Sequence, residues 1–252
     1  MRRSSLAGRL SFAAATRMAF RRVPVPPGRG FLSLSFDDIP LSAWTEGGPI
    51  LSRHGLRASY YLSGDLCGKV FENREQYRQD DIADIIAAGH EIGSHLFHHV
   101  STLTLSPNQM RREIALNDAF LKQAVGQDFM ARSFAYPYGE ISVAAKWLCN
   151  RRFLASRSVM PGLNSNGADA GQLRILPIDN IFAAETDIGA GIAAAARDGA
   201  WAILLAHGVD NTGHAFSCPP SRLEAVIERA MAAGLEILPV AEVMDRLTSS
   251  RS

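Results

Sequence analysis

From Phe31 onward the chain alternates short apolar or β-branched runs with amphipathic stretches, and few folds accept that rhythm. Residues 31–36, 58–62, 91–95, 133–136, 154–158, 175–178, 202–206 and 235–240 read as strands. Strands alternating with helices imply a mainly parallel sheet or barrel, an α/β architecture. Several of the intervening helices announce their ends. Ser106 and Pro107, with Gln109 three residues after the serine and Gly126 beyond the periodic stretch, predict a capping box, a proline in the first turn and a glycine stop. Ser221, Glu224 and Gly234 repeat that logic, and residues 81–88 form a third candidate, stopped by Gly89.

A chain of 252 residues, 47% of them apolar, can bury a substantial core, and α/β barrels of this length form one domain. The domain is expected over residues 31–248, preceded by an arm over residues 1–30. Seven arginines (Arg2, Arg3, Arg9, Arg17, Arg21, Arg22 and Arg29) come before the first acidic residue, Asp37. The proline-rich residues 23–28 separate the two parts. An apolar stretch at 10–15 imitates a signal core, but Arg17 interrupts it and no small-x-small cleavage site follows, so the arm reads as flexible and basic and the expected location is cytoplasmic.

A formal net charge of +1 argues against a nucleic-acid partner, since polyphosphate recognition needs a clearly basic face. No apolar run reaches the roughly 20 residues that span a bilayer, so no transmembrane anchor is expected. The cysteines Cys67, Cys149 and Cys218 are odd in number and far apart, which fits neither a disulfide framework nor a thiolate zinc site.

In parallel α/β folds the reactive residues gather at the carboxyl ends of strands. Here that rule selects Asp37 and Asp38, His95 to His99, Tyr136 to Tyr138, Asp179 and His207. Two adjacent carboxylates repel when buried together and need a cation, a shared proton or a route to solvent. A metal would separate their roles, one binding it and the other accepting a proton; a solvated turn is the plainer alternative. His95 and His99, four positions apart, share a face if the chain turns helically, and could grip one divalent ion with Asp38; three-residue spacing makes His98 an alternative ligand. Two nitrogens and one oxygen suit catalytic zinc and tolerate other first-row metals. Tyr136, Pro137 and Tyr138 offer an aromatic wall of the kind sugars favour, with a backbone N–H available to an oxyanion. His207, closing a buried strand before Gly208, is placed to protonate a leaving amine.

In combination, Phe36-Asp37-Asp38, His95-x-x-x-His99, Phe134-Ala135-Tyr136-Pro137-Tyr138-Gly139 and Leu205-x-His207 resemble the polysaccharide deacetylases with the NodB-homology domain, in the family's order. The resemblance implies a distorted (β/α) barrel, a bound divalent metal, usually Zn2+, and removal of N-acetyl groups from chitin-like or peptidoglycan-like amino-sugar polymers or oligomers. It makes Asp37 the general base, Asp38, His95 and His99 the metal ligands, His207 the general acid, and Tyr138 the backbone oxyanion donor. Its alignment is what selects His99 over His98.

Three departures matter. Leu96 stands where the family has Ser or Thr, which removes a hydrogen bond from the surroundings of the metal ligands. Ala135 stands where many members carry an arginine that orients the catalytic aspartate, with Arg132 as the nearby substitute. Asp179 has the place of the family's aspartate that tunes the final histidine, but Ile181 and Phe182 follow it instead of tryptophan. A metal amidase acting on a non-sugar amide and a non-catalytic carbohydrate-binding relative are the rival readings.

Overall fold

Strand β1 (Phe31–Asp37) is buried along its whole length, because both of its faces meet apolar layers. Leu32, Leu34 and Phe36 join the outer core beneath the helices, while Phe31 joins a separate inner core with Trp201, Ile203 and Leu205. A strand buried on both sides reads as a near-continuous apolar run, which is why period-two alternation is muted here. In the computed structural model, which describes residues 6–26, 28, 30–184 and 187–249, six further strands follow in chain order. They are β2 (Ser59–Leu62), β3 (Glu91–Ser94), β4 (Ser133–Ala135), β5 (Ala155–Pro161), β6 (Leu173–Pro177) and β7 (Trp201–Ala206).

Each pairs in parallel with its predecessor, and β7 pairs with β1 from Trp201↔Phe31 to Ala206↔Phe36, closing a seven-stranded barrel. The expected distorted (β/α) barrel is the fold. The run at 235–240 is mostly not a strand. Only β8 (Glu236–Ile237) pairs, with the start of β1, and Val240 already opens a helix.

Nine helices occur among the described residues: α1 (Leu6–Arg17), α2 (Leu41–Thr45), α3 (Gly47–Arg53), α4 (Gln79–Ala87), α5 (Pro107–Val125), α6 (Val143–Arg152), α7 (Ile188–Asp198), α8 (Pro220–Ala232) and α9 (Val240–Ser249). The Ser106–Gln109 capping box forms as the spacing predicts, each side chain accepting from the other residue's backbone N–H. Ser221 does not cap α8, which begins one residue earlier at Pro220, and Glu224 pairs with Arg53 across the surface. Helix α9 plugs the amino-terminal end of the barrel: Val240, Val243, Met244 and Leu247 pack into the inner core. Its first turn is held by Glu91, whose carboxylate accepts from Ser59, Ser133 and the Ala241 N–H. With that end sealed, the opposite end, where the strands finish, is free for chemistry.

The described part of the arm packs against the barrel. Lys146 of α6 is fully buried, and its ammonium donates to the carbonyls of Ala15 and Met18 at 2.7 Å and to Gln172 at 2.8 Å, while pairing with Asp169 at 2.6 Å. A buried charge needs such partners. Residues 22–23 also form a short antiparallel pair with 168–169, and Val23 and Val25 enter the inner core. No helix of the described residues is long and apolar enough to cross a membrane.

Candidate active site

Asp38, His95 and His99 converge at the open end of the barrel, their ligand atoms all within 4.8 Å of one another. The convergence is not helical. Leu96 and His99 both adopt left-handed backbone (φ 60° and 49°), as does Asp38 (φ 62°), so a tight loop after β3 folds the two imidazoles toward the tip of β1. Non-glycine residues in that region cost of order 1–3 kcal/mol each and persist where surrounding structure holds them. His98 is turned away, its ring bonded to Glu113 at 2.8 Å, whereas His99 faces Asp38.

The donor set fits a divalent cation. His95 Nε2 lies 3.5 Å and His99 Nε2 3.0 Å from Asp38 Oδ1, yet that oxygen is buried and accepts no hydrogen bond, so the His99 contact is a close approach without hydrogen-bond geometry. Burial, joined by His99 and His207 at His95 and by His207 at His99, lowers the pKa of both imidazoles to about 3. Both rings are therefore neutral at ordinary pH. Three electron-rich atoms facing one another without a shared proton are what a cation would satisfy. The Nδ1 of His95 donates to the Ala135 carbonyl at 2.8 Å, which fixes the tautomer that leaves Nε2 free. His99 Nδ1 has no hydrogen-bond partner.

Asp37, at the end of β1, is held by Arg157. The guanidinium donates to Asp37 Oδ1 through Nη2, and lies over the Tyr61 ring with its central carbon 4.7 Å from the centroid. Gly93 makes room for that ring, since a Cβ there would sit 2.4 Å from Tyr61 Cε1. Arg157 is completely buried, and burial lowers its pKa to about 9, so it stays charged at neutral pH. Arg132 does not take this part: it forms a two-point ion pair with Asp245 on the outer surface, at 2.6 and 2.9 Å. Arg157 escaped the sequence reading, although a signal existed. Ala135 of β4 pairs with Arg157 of β5, so the arginine missing at 135 stands one strand over at the same level. An arginine inside a run that otherwise reads as buried strand was the trace.

Across the barrel mouth, Asp179 and His207 form a closed pair. Asp179 is fully buried and accepts from the His207 backbone N–H at 3.1 Å and from ring Nδ1 at 2.6 Å. Burial of the imidazole opposes its protonation, but the charge and hydrogen bond of Asp179, helped by Asp38, outweigh it and hold the His207 pKa above the ordinary 6.5. Asp179 thus contacts His207 through both backbone and ring, without a following tryptophan.

Asp37, Asp38, His95, His99 and His207 line one cavity of 430 Å³, together with Glu72, Tyr138, Phe182, Phe216 and apolar residues of β5 to β7. Of the aromatic turn, only Tyr138 lines the cavity, with its ring 4.6 Å from that of His99 and its backbone left-handed (φ 58°). Tyr136 points the other way, buried against Phe134, with its hydroxyl donating to Gly171 at 3.1 Å, and Pro137 is buried. The expected substrate wall of three residues thus reduces to one. The turn itself demands Gly139, because a Cβ there would lie 2.1 Å from Val159.

A region of a chitin deacetylase from Pestalotiopsis sp is 27% identical over 95 residues, covering 38% of this chain but only 30% of that relative's length. The Xyl-CE4 domain of a multidomain xylanase from the hindgut metagenome of Trinervitermes trinervoides superposes with a TM-score of 0.60 at 21% identity, over 86% of this chain and 91% of that one. A CE4 family pseudoenzyme from Bacillus anthracis superposes with a TM-score of 0.59 at 18% identity, over 87% of this chain and 66% of that one. Identities this low speak to the fold alone. The family model for polysaccharide deacetylase, however, matches residues 25–151, half of the chain and the half that carries Asp37, Asp38, His95, His99 and the aromatic turn, so this chain belongs to the polysaccharide deacetylase family.

Proposed function

We propose that the protein is a metal-dependent hydrolase that removes N-acetyl groups from an amino-sugar oligomer or polymer of the chitin or peptidoglycan kind. The observation that carries this reading is the buried Asp38 oxygen facing two neutral imidazoles, in the same cavity as Asp37 and His207. Asp38, His95 and His99 would hold the ion, with zinc first among the metals that suit two nitrogens and one oxygen. When bound, such an ion supplies Lewis acidity toward the amide carbonyl and makes water more acidic.

The chain's own groups supply the proton traffic. Asp37, aimed by Arg157, accepts a proton from the attacking water at its carboxylate. His207, whose protonated form Asp179 favours, donates from its other ring nitrogen to the departing amine. The Tyr138 N–H serves the carbonyl oxygen as charge builds on it. Tyr138, with its ring about half exposed at the rim, offers a sugar an aromatic face.

Elemental analysis of the purified protein, with mass spectrometry of N-acetyl chitooligosaccharides for loss of acetyl and a panel of small amides beside them, tests the reading. One equivalent of metal and acetate release from the sugars are expected, and turnover confined to the small amides would replace the substrate. Asp37→Asn should lower kcat by about 10²–10⁴-fold with the metal retained; near-normal turnover would remove Asp37 from its role.

A further inference from the structure

Glu72 lines the same cavity as Asp37, Asp38, His95, His99 and His207, yet the proposed reaction gives it no part. It stands at the tip of a hairpin in which Val70–Phe71 pairs antiparallel with Arg74–Glu75, so that Glu72 and Asn73 are the two turn residues. Both are left-handed (φ 49° and 60°), as a two-residue turn matched to the strand twist requires, and such turns favour Asn or Gly. Asn73 conforms. Glu72 does not, and a non-glycine residue held there costs of order 1–3 kcal/mol.

The hairpin is pinned to the site at two points. The Phe71 ring lies edge-on to His99 with 5.4 Å between centroids, and Arg74 donates from Nη1 to the carbonyl of Phe216, whose ring stands 5.2 Å from that of His207. The backbone under Glu72 is thereby fixed, while its side chain keeps 40% exposure. Among the described residues no hydrogen bond reaches the Glu72 carboxylate, and Arg74 Nη2, the cation paired with it, lies 3.9 Å away, beyond hydrogen-bond reach. Asp37 has Arg157 and Asp38 faces two imidazoles, so Glu72 is the cavity's third carboxylate and the one whose oxygens are open to a ligand from solvent.

An amino-sugar chain offers hydroxyls on every residue and an ammonium only on residues that have already lost their acyl group. To a carboxylate the ammonium adds Coulomb attraction to the hydrogen bond that a hydroxyl would give. The nitrogen that reacts is placed by the metal ligands, so an ammonium at Glu72 belongs to another residue of the chain. We infer that Glu72 is a subsite for that ammonium, and that the preferred substrate is a partly deacetylated oligomer, with a free amino sugar beside the N-acetyl residue to be cleaved. The inference rests on the proposed reading of the protein as an amino-sugar deacetylase. The same carboxylate disfavours a chain that brings an acidic sugar to this place.

Calorimetric titration of the zinc-loaded full-length protein with the glucosamine tetramer and the N-acetylglucosamine tetramer measures the subsite without requiring turnover. Glu72→Gln is expected to weaken the glucosamine tetramer about tenfold relative to the acetylated one. Glu72→Asn, which suits the left-handed turn and so guards against a folding defect, should do the same. In turnover followed by mass spectrometry, kcat/KM should favour a tetramer with one free amino sugar over the fully acetylated tetramer by about tenfold, and both variants should bring that ratio toward one. Absence of glucosamine-tetramer binding in the unaltered protein, or an equal loss for both tetramers in the variants, would overturn the subsite and leave the deacetylase reading intact. Binding of the glucosamine tetramer that depends on Glu72, with no acetyl released from any oligomer, would keep the subsite and bring down the deacetylase reading.

Discussion

Asp179 and His207 satisfy one another within the protein, whereas Asp38, His95 and His99 leave buried Asp38 Oδ1 and His99 Nδ1 without hydrogen bonds. A buried polar atom left alone costs about 1–3 kcal/mol, so the first group is complete as folded and the second gains when a cation arrives. The two groups also respond to acid with opposite sign. His207 has a raised pKa, so the stability its pairing contributes is present below 6.5 and is lost as pH rises through the raised value. His95 and His99 have lowered values, so in metal-free protein stability is present above 6.5 and falls as pH drops toward about 3. One site therefore contains a group built to hold a proton and a group built to refuse one.

The most severe way to break this contrast is to remove a ligand. His95→Ala should abolish metal binding and, with it, all turnover, as read by elemental analysis beside acetate release; normal metal content would refute the ligand set. Next comes Arg157→Met, which leaves Asp37 without its counter-charge. A fall of about 10–100-fold in kcat is expected, together with about 3–5 kcal/mol of lost stability in denaturant unfolding, because a buried ion pair is broken from one side. Adding Ala135→Arg, which restores a guanidinium from the neighbouring strand at the paired level, should recover a substantial part of kcat; a purely structural arginine would show no such rescue.

Asp179→Asn sharpens the other half. Without the carboxylate the His207 pKa falls, so the alkaline limb of the pH–rate profile moves toward lower pH, with on the order of tenfold less activity above it for each pKa unit lost. An unmoved limb would take the acid role from His207. The smallest effect is expected from Leu96→Thr, which restores a hydroxyl at the position after His95 where the family carries Ser or Thr. Competition with a chelator should show zinc held up to about tenfold more tightly, and unchanged affinity would mean that the hydroxyl does not reach.

The seven barrel strands were legible in the sequence because each needs only a short apolar run closed by a turn, and such runs are local. The eighth was misjudged at 235–240, since a run that ends in a helix start looks like a strand until its pairing partner is known; only Glu236 and Ile237 reach β1. The site divides in the same way. Asp37, Asp38, His95, His99 and His207 stand at strand tips, and strand tips can be read in order. Arg157 could not be read, because it meets Asp37 across 120 residues of chain and only closure of the barrel sets that distance.

Composition also misdirected. A segment with seven arginines and no acidic residue resembles a solvated arm, yet its backbone carbonyls are what a buried lysine on α6 requires. By itself the amino-acid sequence determined the alternation of strand and helix, the order of the motifs, and therefore the family and the residues at the strand ends. Tertiary structure alone decided that Tyr136 turns inward while Tyr138 lines the cavity, and that an arginine from β5 orients the aspartate. The physical reason is that element identity follows from local periodicity, whereas side-chain partnership depends on register between strands and on left-handed loop residues, which local periodicity does not encode.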